Sequence, residues 1–265
     1  MTSTGLNRVN DNFYTKKEIS KKCVEFLNNM NIINENDIVI EPSAGDGSFI
    51  EPIKLFFKKY KFYDINPNHK DIIKQDFLEL DIKEKVHFIG NPPFGRQSSL
   101  AKKFIKKCSI VGESISFILP KSFKKDSFQK TFPLKFHLIY EYNIPNNSFI
   151  IDKKDHNVPC VFQIWKKENY DRIILKKEEP KNFKFVKKEE IHDISVRRVG
   201  VYAGKIDINT KDKSQTSHYF IKFTNENLLE KIKDFKSIKF PSDNTVGPKS
   251  ISKPELIKEF NKLIF

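Results

Sequence analysis

Five short strand-like runs constrain this chain more than any other feature: DIVIEPS (37–43), KFYDI (61–65), residues 74–78, VHFIG (86–90) and SISFILP (114–120). Most are apolar at consecutive positions instead of every second one, the pattern of strands buried on both faces. Segments with helical spacing lie between them. Thr15 and Glu18 have the spacing of a capping box, and Ile19, Cys23, Phe26, Leu27 and Met30 then recur at helical intervals. Leu100, Ala101, Phe104, Ile105 and Cys108 do the same, with lysines on the opposite face. A further helix is expected through SFKKDSFQKTF (122–132), and strands at FHLIYEYNI (136–144) and VPCVFQIW (158–165). Strands that alternate with helices predict an α/β fold of Rossmann-like type, a mostly parallel sheet with helices on both faces.

The fourth run ends on Asn91-Pro92-Pro93-Phe94. Two successive prolines remove two backbone donors, so this segment cannot go on pairing in a sheet. They also fix φ at two positions and keep the flanking carbonyls out of a helix. Glycine points to the same end of the sheet. The chain has only 9 glycines, well below the roughly 7% of an average protein, yet Gly45, Gly47, Gly90 and Gly95 flank two strand ends. Glu41-Pro42-Ser43-Ala44-Gly45-Asp46-Gly47 carries a strand into a helix through bare backbone, at the end where open α/β sheets bind ligands. It has neither the GxGxxG of a dinucleotide fold nor the GK[ST] of a P-loop. Acids close the next two strands, Asp64 in Tyr63-Asp64-Ile65 and Asp76 in Gln75-Asp76-Phe77. An acid about 20 residues beyond a glycine turn can accept hydrogen bonds from ribose hydroxyls.

The 265 residues include 48 Lys+Arg and 34 Asp+Glu, a formal net charge of +14. Such an excess points to a polyanionic partner, most simply nucleic acid, with a lysine-rich surface born of codon bias as the alternative. The last 100 residues hold 23 Lys+Arg and 15 Asp+Glu, more than half of the excess. Past Trp165 the pattern changes to short charge-rich segments, so the chain divides into 1–167 and a small basic C-terminal extension, 168–265. Within the extension, Ser195–Lys205 reads as strand-like and offers Arg197 and Arg198 for phosphate contacts. Gly247-Pro248-Lys249-Ser250 reads as a turn before a final helix over Pro254–Ile264. No apolar run approaches the roughly 20 residues that span a bilayer, and the polar N-terminus lacks a secretory signal. No membrane partner is expected. Cys23, Cys108 and Cys160 lie far apart in apolar patterns and read as buried thiols of a reducing compartment, cytoplasmic, nuclear or viral-factory. Neither they nor the 6 histidines have ligand spacing, so no metal is expected.

EPSAGDGSF (41–49), YDINP (63–67), QDFL (75–78) and NPPF (91–94), in this order, resemble the motifs of S-adenosylmethionine-dependent adenine-N6 methyltransferases of gamma motif order, of the small phage- or large-virus-like kind. Asn12-Phe13-Tyr14-Thr15 is similar to the N-terminal motif of that class, which closes over the methionine end of the cofactor. The resemblance covers about residues 10–165 and implies a seven-stranded methyltransferase fold with one antiparallel strand. It also implies roles. Tyr14, Thr15, Glu41, Pro42, Ser43, Ala44, Gly45 and Gly47 would hold the methionine part of S-adenosyl-L-methionine, bordered by Asn91. Asp64 with Ile65 would bind its ribose, and Asp76 with Phe77 its adenine. Asn91 and the Pro92 carbonyl would accept both N–H groups of a target amine, with Pro93 stiffening the segment. Phe94 would stack on a flipped base, worth on the order of 1 to 3 kcal/mol. Phe149, between the last two strands, is the candidate for a second aromatic contact to the base.

An exocyclic amine is a poor nucleophile because its lone pair is delocalised into the ring. Two rigid acceptors can draw the nitrogen toward a pyramidal geometry, and alignment then supplies most of the catalysis without a metal or a covalent intermediate. The expected activity is methyl transfer to N6 of adenine in DNA, and the second reading is N6 of adenosine in RNA, including a cap-adjacent one. Glutamine methylation in a protein is disfavoured by Phe94, where such enzymes commonly carry Tyr, and by the +14 charge. A catalytically silent methyltransferase-like nucleic-acid-binding subunit is the alternative from another class. The short second part leaves room for a protein partner or a homodimer.

Overall fold

The computed structural model describes residues 13–151, 154–174, 178–240 and 249–264; Asn12 of the N-terminal motif and Gly247 and Pro248 of the expected turn lie outside the described residues. The chain forms two compact units, Met1–Arg172 and Ile173–Phe265.

The strands of unit 1 are β1 (Tyr14–Thr15), β2 (Ile38–Glu41), β3 (Lys59–Asp64), β4 (Ile73–Lys74), β5 (Val86–Gly90), β6 (Gly112–Pro120), β7 (Phe136–Asn143), β8 (Phe149–Ile151), β9 (Lys154–His156) and β10 (Cys160–Lys167). Seven of them make one sheet in the order β4-β3-β2-β5-β6-β10-β7. β10 runs antiparallel to both its neighbours, and the other ladders are parallel. This is the Rossmann-like α/β sheet, with its single reversed strand, that the motifs led us to expect.

Alternate residues of each strand point to opposite faces, and both faces are covered. Val39, Ile89, Ile118 and Phe162 join an apolar cluster with Ile19, Cys23, Val24 and Leu27 of α1 (Lys17–Asn29) and Ile53 of α2 (Ile50–Phe56). Ile40, Phe88, Phe117 and Val161 join a second cluster with Ala101, Phe104, Ile105 and Cys108 of α3 (Ser99–Val111). Each fully buried side chain of this size stabilises the fold by roughly 1.5–3 kcal/mol. The three cysteines are buried in these layers, where loss of solvent pushes their thiols well above the ordinary range.

Local departures from expectation have local causes. Thr15 does not cap α1: the cap position is Lys16, without a side-chain cap bond, and Thr15 belongs to β1. The third run pairs only over Ile73–Lys74, because Asp76 Oδ1 accepts the Leu78 N–H at 2.8 Å and turns the chain out of the ladder. The helix expected over 122–132 is a 3-10 turn, Lys121–Lys124, followed by the single-turn α4 (Asp126–Gln129). Sequence reasoning missed a second small sheet, in which β1 pairs with β8, and β8 with β9. Its strands are two or three residues long, and β1 lies far from β8 in the chain, so periodicity could not reveal them.

Unit 1 extends to Arg172, beyond the expected division at 168. The Arg172 guanidinium donates to the carbonyls of Gln129, Phe132, Pro133 and Phe136 and lies 5.3 Å from the Trp165 ring, which binds this stretch to the sheet. Unit 2 carries a four-stranded antiparallel sheet of β11 (Phe183–Val186), β12 (Ile194–Arg197), β13 (Ile206–Asp207) and β14 (His218–Phe223), in the order β11-β14-β12-β13. Its core joins Val196 and Ile221 to Phe235 of α5 (Ile232–Lys236) and to Leu256 and Phe260 of α6 (Lys253–Asn261). The strand expected through Lys205 stops at Arg197, and a turn follows with Gly200 at φ +91° and Gly204 at φ +100°. α6 starts from a capping box of Ser252 and Glu255, one residue before the expected start.

Candidate cofactor and base site

A cavity of about 310 Å³ opens at the carboxyl ends of β2, β3 and β5. The glycine turn after β2 forms its floor. Gly45 stands at φ +52°, a conformation costly for other residues, and a Cβ there would lie 3.1 Å from the Tyr14 ring. The Gly45 N–H donates to Asp64 Oδ2 at 2.8 Å, and Asp64 Oδ1 accepts the Asn66 N–H at 2.8 Å. Asp64 therefore joins two loops, while each of its oxygens keeps a lone pair for a ligand hydroxyl. Asp76, at the end of the third run, is exposed on the wall. Phe77 beside it is anchored by Phe88 and Phe104, with ring centroids 5.6 Å away in each case.

Glu41 is 2% exposed, and its Oε2 has no hydrogen-bond partner among the described residues. Burial, then the charges of Asp46 and Asp64, hold its carboxyl well above the usual carboxylate range. Four acids, Glu41, Asp46, Asp64 and Asp76, line the cavity, and no lysine or arginine does so among the described residues. In a chain of net charge +14 this is a local inversion of sign.

Across the cavity stands Asn91. Its Nδ2 donates to the Phe13 carbonyl at 3.2 Å and to Thr15 Oγ1 at 3.1 Å. Its Oδ1 is buried without a partner among the described residues. Pro92 is buried, Pro93 exposed and Phe94 half-buried. The Phe94 carbonyl accepts the Leu100 and Ala101 N–H groups and so begins α3, leaving the tetrad between strand and helix.

The structure brings Tyr14, Thr15, Glu41, Pro42, Ser43, Ala44, Gly45, Asp64, Ile65, Asp76, Phe77, Asn91, Pro92, Pro93 and Phe94 to this one cavity. Gly47 is a turn residue behind the wall, where a Cβ would come 2.8 Å from Ile50 Cδ1. Phe149 is placed differently from expectation. It is fully buried in β8, paired with Thr15 across the ladder and edge-on to Phe13 at 6.4 Å, and it supports the N-terminal strand instead of facing the cavity. Arg197 and Arg198 belong to unit 2, where Arg197 Nε donates to the Val199 carbonyl and the Arg198 guanidinium lies 5.3 Å from the Tyr219 ring. Sequence reasoning missed Gln75, Leu78, Leu100 and Phe104 on the wall. The last two read as helix core, and only their place in the first turns of α3, directly after the tetrad, could have marked them. No group of His, Cys, Asp or Glu among the described residues is arranged to hold a metal, and no described helix is long and apolar enough to cross a membrane.

No protein-family model matches the chain, and no curated protein matches it. Several solved structures are similar. A protein from Pyrococcus horikoshii assigned as an RNA methyltransferase is 15% identical, with 62% of this chain and 92% of that one aligned and a TM-score of 0.48. The 23S rRNA methyltransferase ErmE is 16% identical over 60% of this chain and 71% of its own, at 0.46. A protein from Vibrio vulnificus YJ016 assigned as the modification subunit of a type I restriction enzyme is 11% identical over 98% of this chain and 63% of its own, at 0.48. Likeness at this level carries no inference about what this chain acts on.

Proposed function

We propose that unit 1 is an S-adenosylmethionine-dependent methyltransferase whose target is the exocyclic N6 amine of adenine in nucleic acid, DNA before RNA. The buried Asn91 Oδ1, unpaired among the described residues, on the wall of an acid-lined cavity carries this reading. The cavity fits the cofactor by charge. S-adenosylmethionine bears a sulfonium and an ammonium against one carboxylate, and the four acids, with no lysine or arginine beside them among the described residues, suit a cation and repel a nucleoside phosphate. In this reading Glu41 and the Gly45 turn hold the amino-acid end, Asp64 the ribose hydroxyls, and Asp76 with Phe77, Leu78 and Phe104 the adenine. The chemistry that the cofactor supplies when bound is a methyl group on a sulfonium, displaced onto an attacking nitrogen. Asn91 Oδ1 and the Pro92 carbonyl accept the two amine N–H groups, and the prolines keep both acceptors fixed. Phe94 gives the base a stacking face. The proton lost by the methylated amine goes to water, so no residue here serves as a strong base.

Unit 2 is assigned the phosphate contacts in this reading, through Arg197 and Arg198 beside a turn that exposes Val201 and Tyr202. The test is incubation with methyl-labelled cofactor and separate pools of DNA, RNA and protein, followed by mapping of the modified base. Label on N6 of adenine is expected. Label on RNA alone would transfer the activity to the second polymer, and no transfer together with no cofactor binding would end the enzyme reading.

A further inference from the structure

The bonds around Asn91 give Thr15 a part that differs from holding cofactor. A primary amide has a donor end and an acceptor end, and the two differ only by a half-turn of the group. The Phe13 carbonyl can only accept, so the amide nitrogen must face it, at 3.2 Å. The second N–H is taken by Thr15 Oγ1 at 3.1 Å. Both protons are then used, and Oδ1 is left as the buried atom without a partner among the described residues. Thr15 is 4% exposed, so water has little access to take its place. Its position is fixed from outside the site: Thr15 pairs with Phe149 across the β1–β8 ladder, and the next residue, Lys16, donates its N–H to the Ser148 carbonyl at 3.0 Å.

The geometry points to Thr15 as a positioning residue that works through Asn91: together with the Phe13 carbonyl it sets the amide so that an acceptor, and not a second donor, meets the target amine. A reversed amide would set N–H against N–H. Donation to Thr15 also polarises the amide and makes Oδ1 the stronger acceptor. The inference rests on the proposed amine-methylating function, and its test separates the two.

Thr15→Val keeps the shape and removes the hydroxyl, Thr15→Ala removes it in a second way, and Thr15→Ser restores it. With an oligonucleotide that the wild-type protein methylates, kcat should fall about 10- to 100-fold in the Val and Ala variants, the effect of one unpaired buried N–H. KM and the cofactor Kd should stay near wild type, and Ser should recover most of the rate. A binding measurement adds a reading independent of turnover. The wild-type protein should bind its site about tenfold more tightly with adenine than with purine, which lacks the amine, as one hydrogen bond predicts; Val and Ala variants should lose that preference, and Ser should keep it. Unchanged kcat and preference in the Val or Ala variant, or a loss of cofactor affinity that matches the loss of rate, would overturn the role of Thr15 alone. A wild-type protein that methylates no polymer would overturn the proposed function and this inference with it.

Discussion

Glu41 allows a test of the cavity's charge before any substrate is known. Its carboxyl is buried, its Oε2 is unpaired among the described residues, and burial with Asp46 and Asp64 raises it well above its ordinary value of 4.5. A carboxyl raised on folding contributes stability that is complete below the unfolded value and is lost as pH rises toward the folded one. In that window the unfolded chain has released a proton that the folded chain retains, so stability falls by about 1.4 kcal/mol per pH unit. For a unit of this size that is about 3 to 6 °C of Tm per pH unit. Glu41→Gln keeps the shape and removes the titration. The readout is specific to unit 1, because the single tryptophan, Trp165, is buried in its core against Phe132. As pH rises above the unfolded value, without cofactor, fluorescence melts should show the wild-type Tm falling relative to the variant, by up to that slope. Calorimetry in buffers of different ionisation enthalpy then reads the ligand. A bound ammonium stabilises the carboxylate, so the wild-type protein should release up to one proton more per cofactor than the variant. Parallel melting curves, together with equal proton release, would refute both the burial argument and the assignment of Glu41 to a cationic ligand.

Asn91→Ala should lower transfer about 100-fold or more, the scale of losing one preorganised polar contact, with cofactor affinity nearly unchanged; loss of both in a calorimetric titration would move the tetrad to the cofactor half of the site. Phe149→Ala should destabilise unit 1 by about 3 to 5 kcal/mol, as a core cavity does, read by the same Trp165 melt; an unaltered Tm with weaker substrate binding would restore Phe149 to the base. Arg197→Ala with Arg198→Ala should reduce the slope of log affinity against log salt by up to about 2, one for each phosphate contact, and an unchanged slope in a binding titration would remove these arginines from the interface.

How much of this was legible in the sequence depends on the range of the interaction that decides each feature. The parallel strands and helices of unit 1 follow from period, since β5 is buried along its whole length and α3 buries one face. The glycine turn and the tetrad were legible because few residue types tolerate φ +52° at Gly45 or two lost donors at Pro92 and Pro93. Features settled by partners distant in the chain were not. Thr15 has a capping-box neighbour in sequence, but Asn91 and the β8 ladder claim it. Phe149 sits on a loop-like stretch among 25 phenylalanines, and only the pairing of β8 with β1 shows that it faces the core. Of unit 2, the separate C-terminal part, the strand at β12 and the final helix were legible, but the four-stranded sheet was not, because its strands are short and several exposed positions are apolar, among them Ile191, Val201 and Tyr202, which blurs the alternation.

The opposed charges of chain and cavity also limit how a polymer could use the site. A net +14 favours a polyanion near the surface, whereas the acidic lining of the cavity opposes its phosphates. At an effective dielectric constant of 20, a phosphate 4 Å from one carboxylate meets about 4 kcal/mol of repulsion. A neutral base meets none, and Phe94 and Asn91 offer it a stacking face and an acceptor. A nucleic acid can therefore enter only by its base, with its phosphates held outside, which is the geometry of a flipped nucleotide. These charges also set an order of events. While the cavity holds only its own acids, burial and the charges of Asp46 and Asp64 disfavour the Glu41 carboxylate; a cation there compensates the acids, and the base then meets a cavity closer to neutrality. Cofactor should thus strengthen nucleic-acid binding, and the neutral product lacking the sulfonium charge should strengthen it less. Equal affinities for an oligonucleotide with no ligand, with S-adenosylmethionine and with S-adenosylhomocysteine, measured by fluorescence anisotropy at one salt concentration, would show that the cavity's charge has no part in admitting the base.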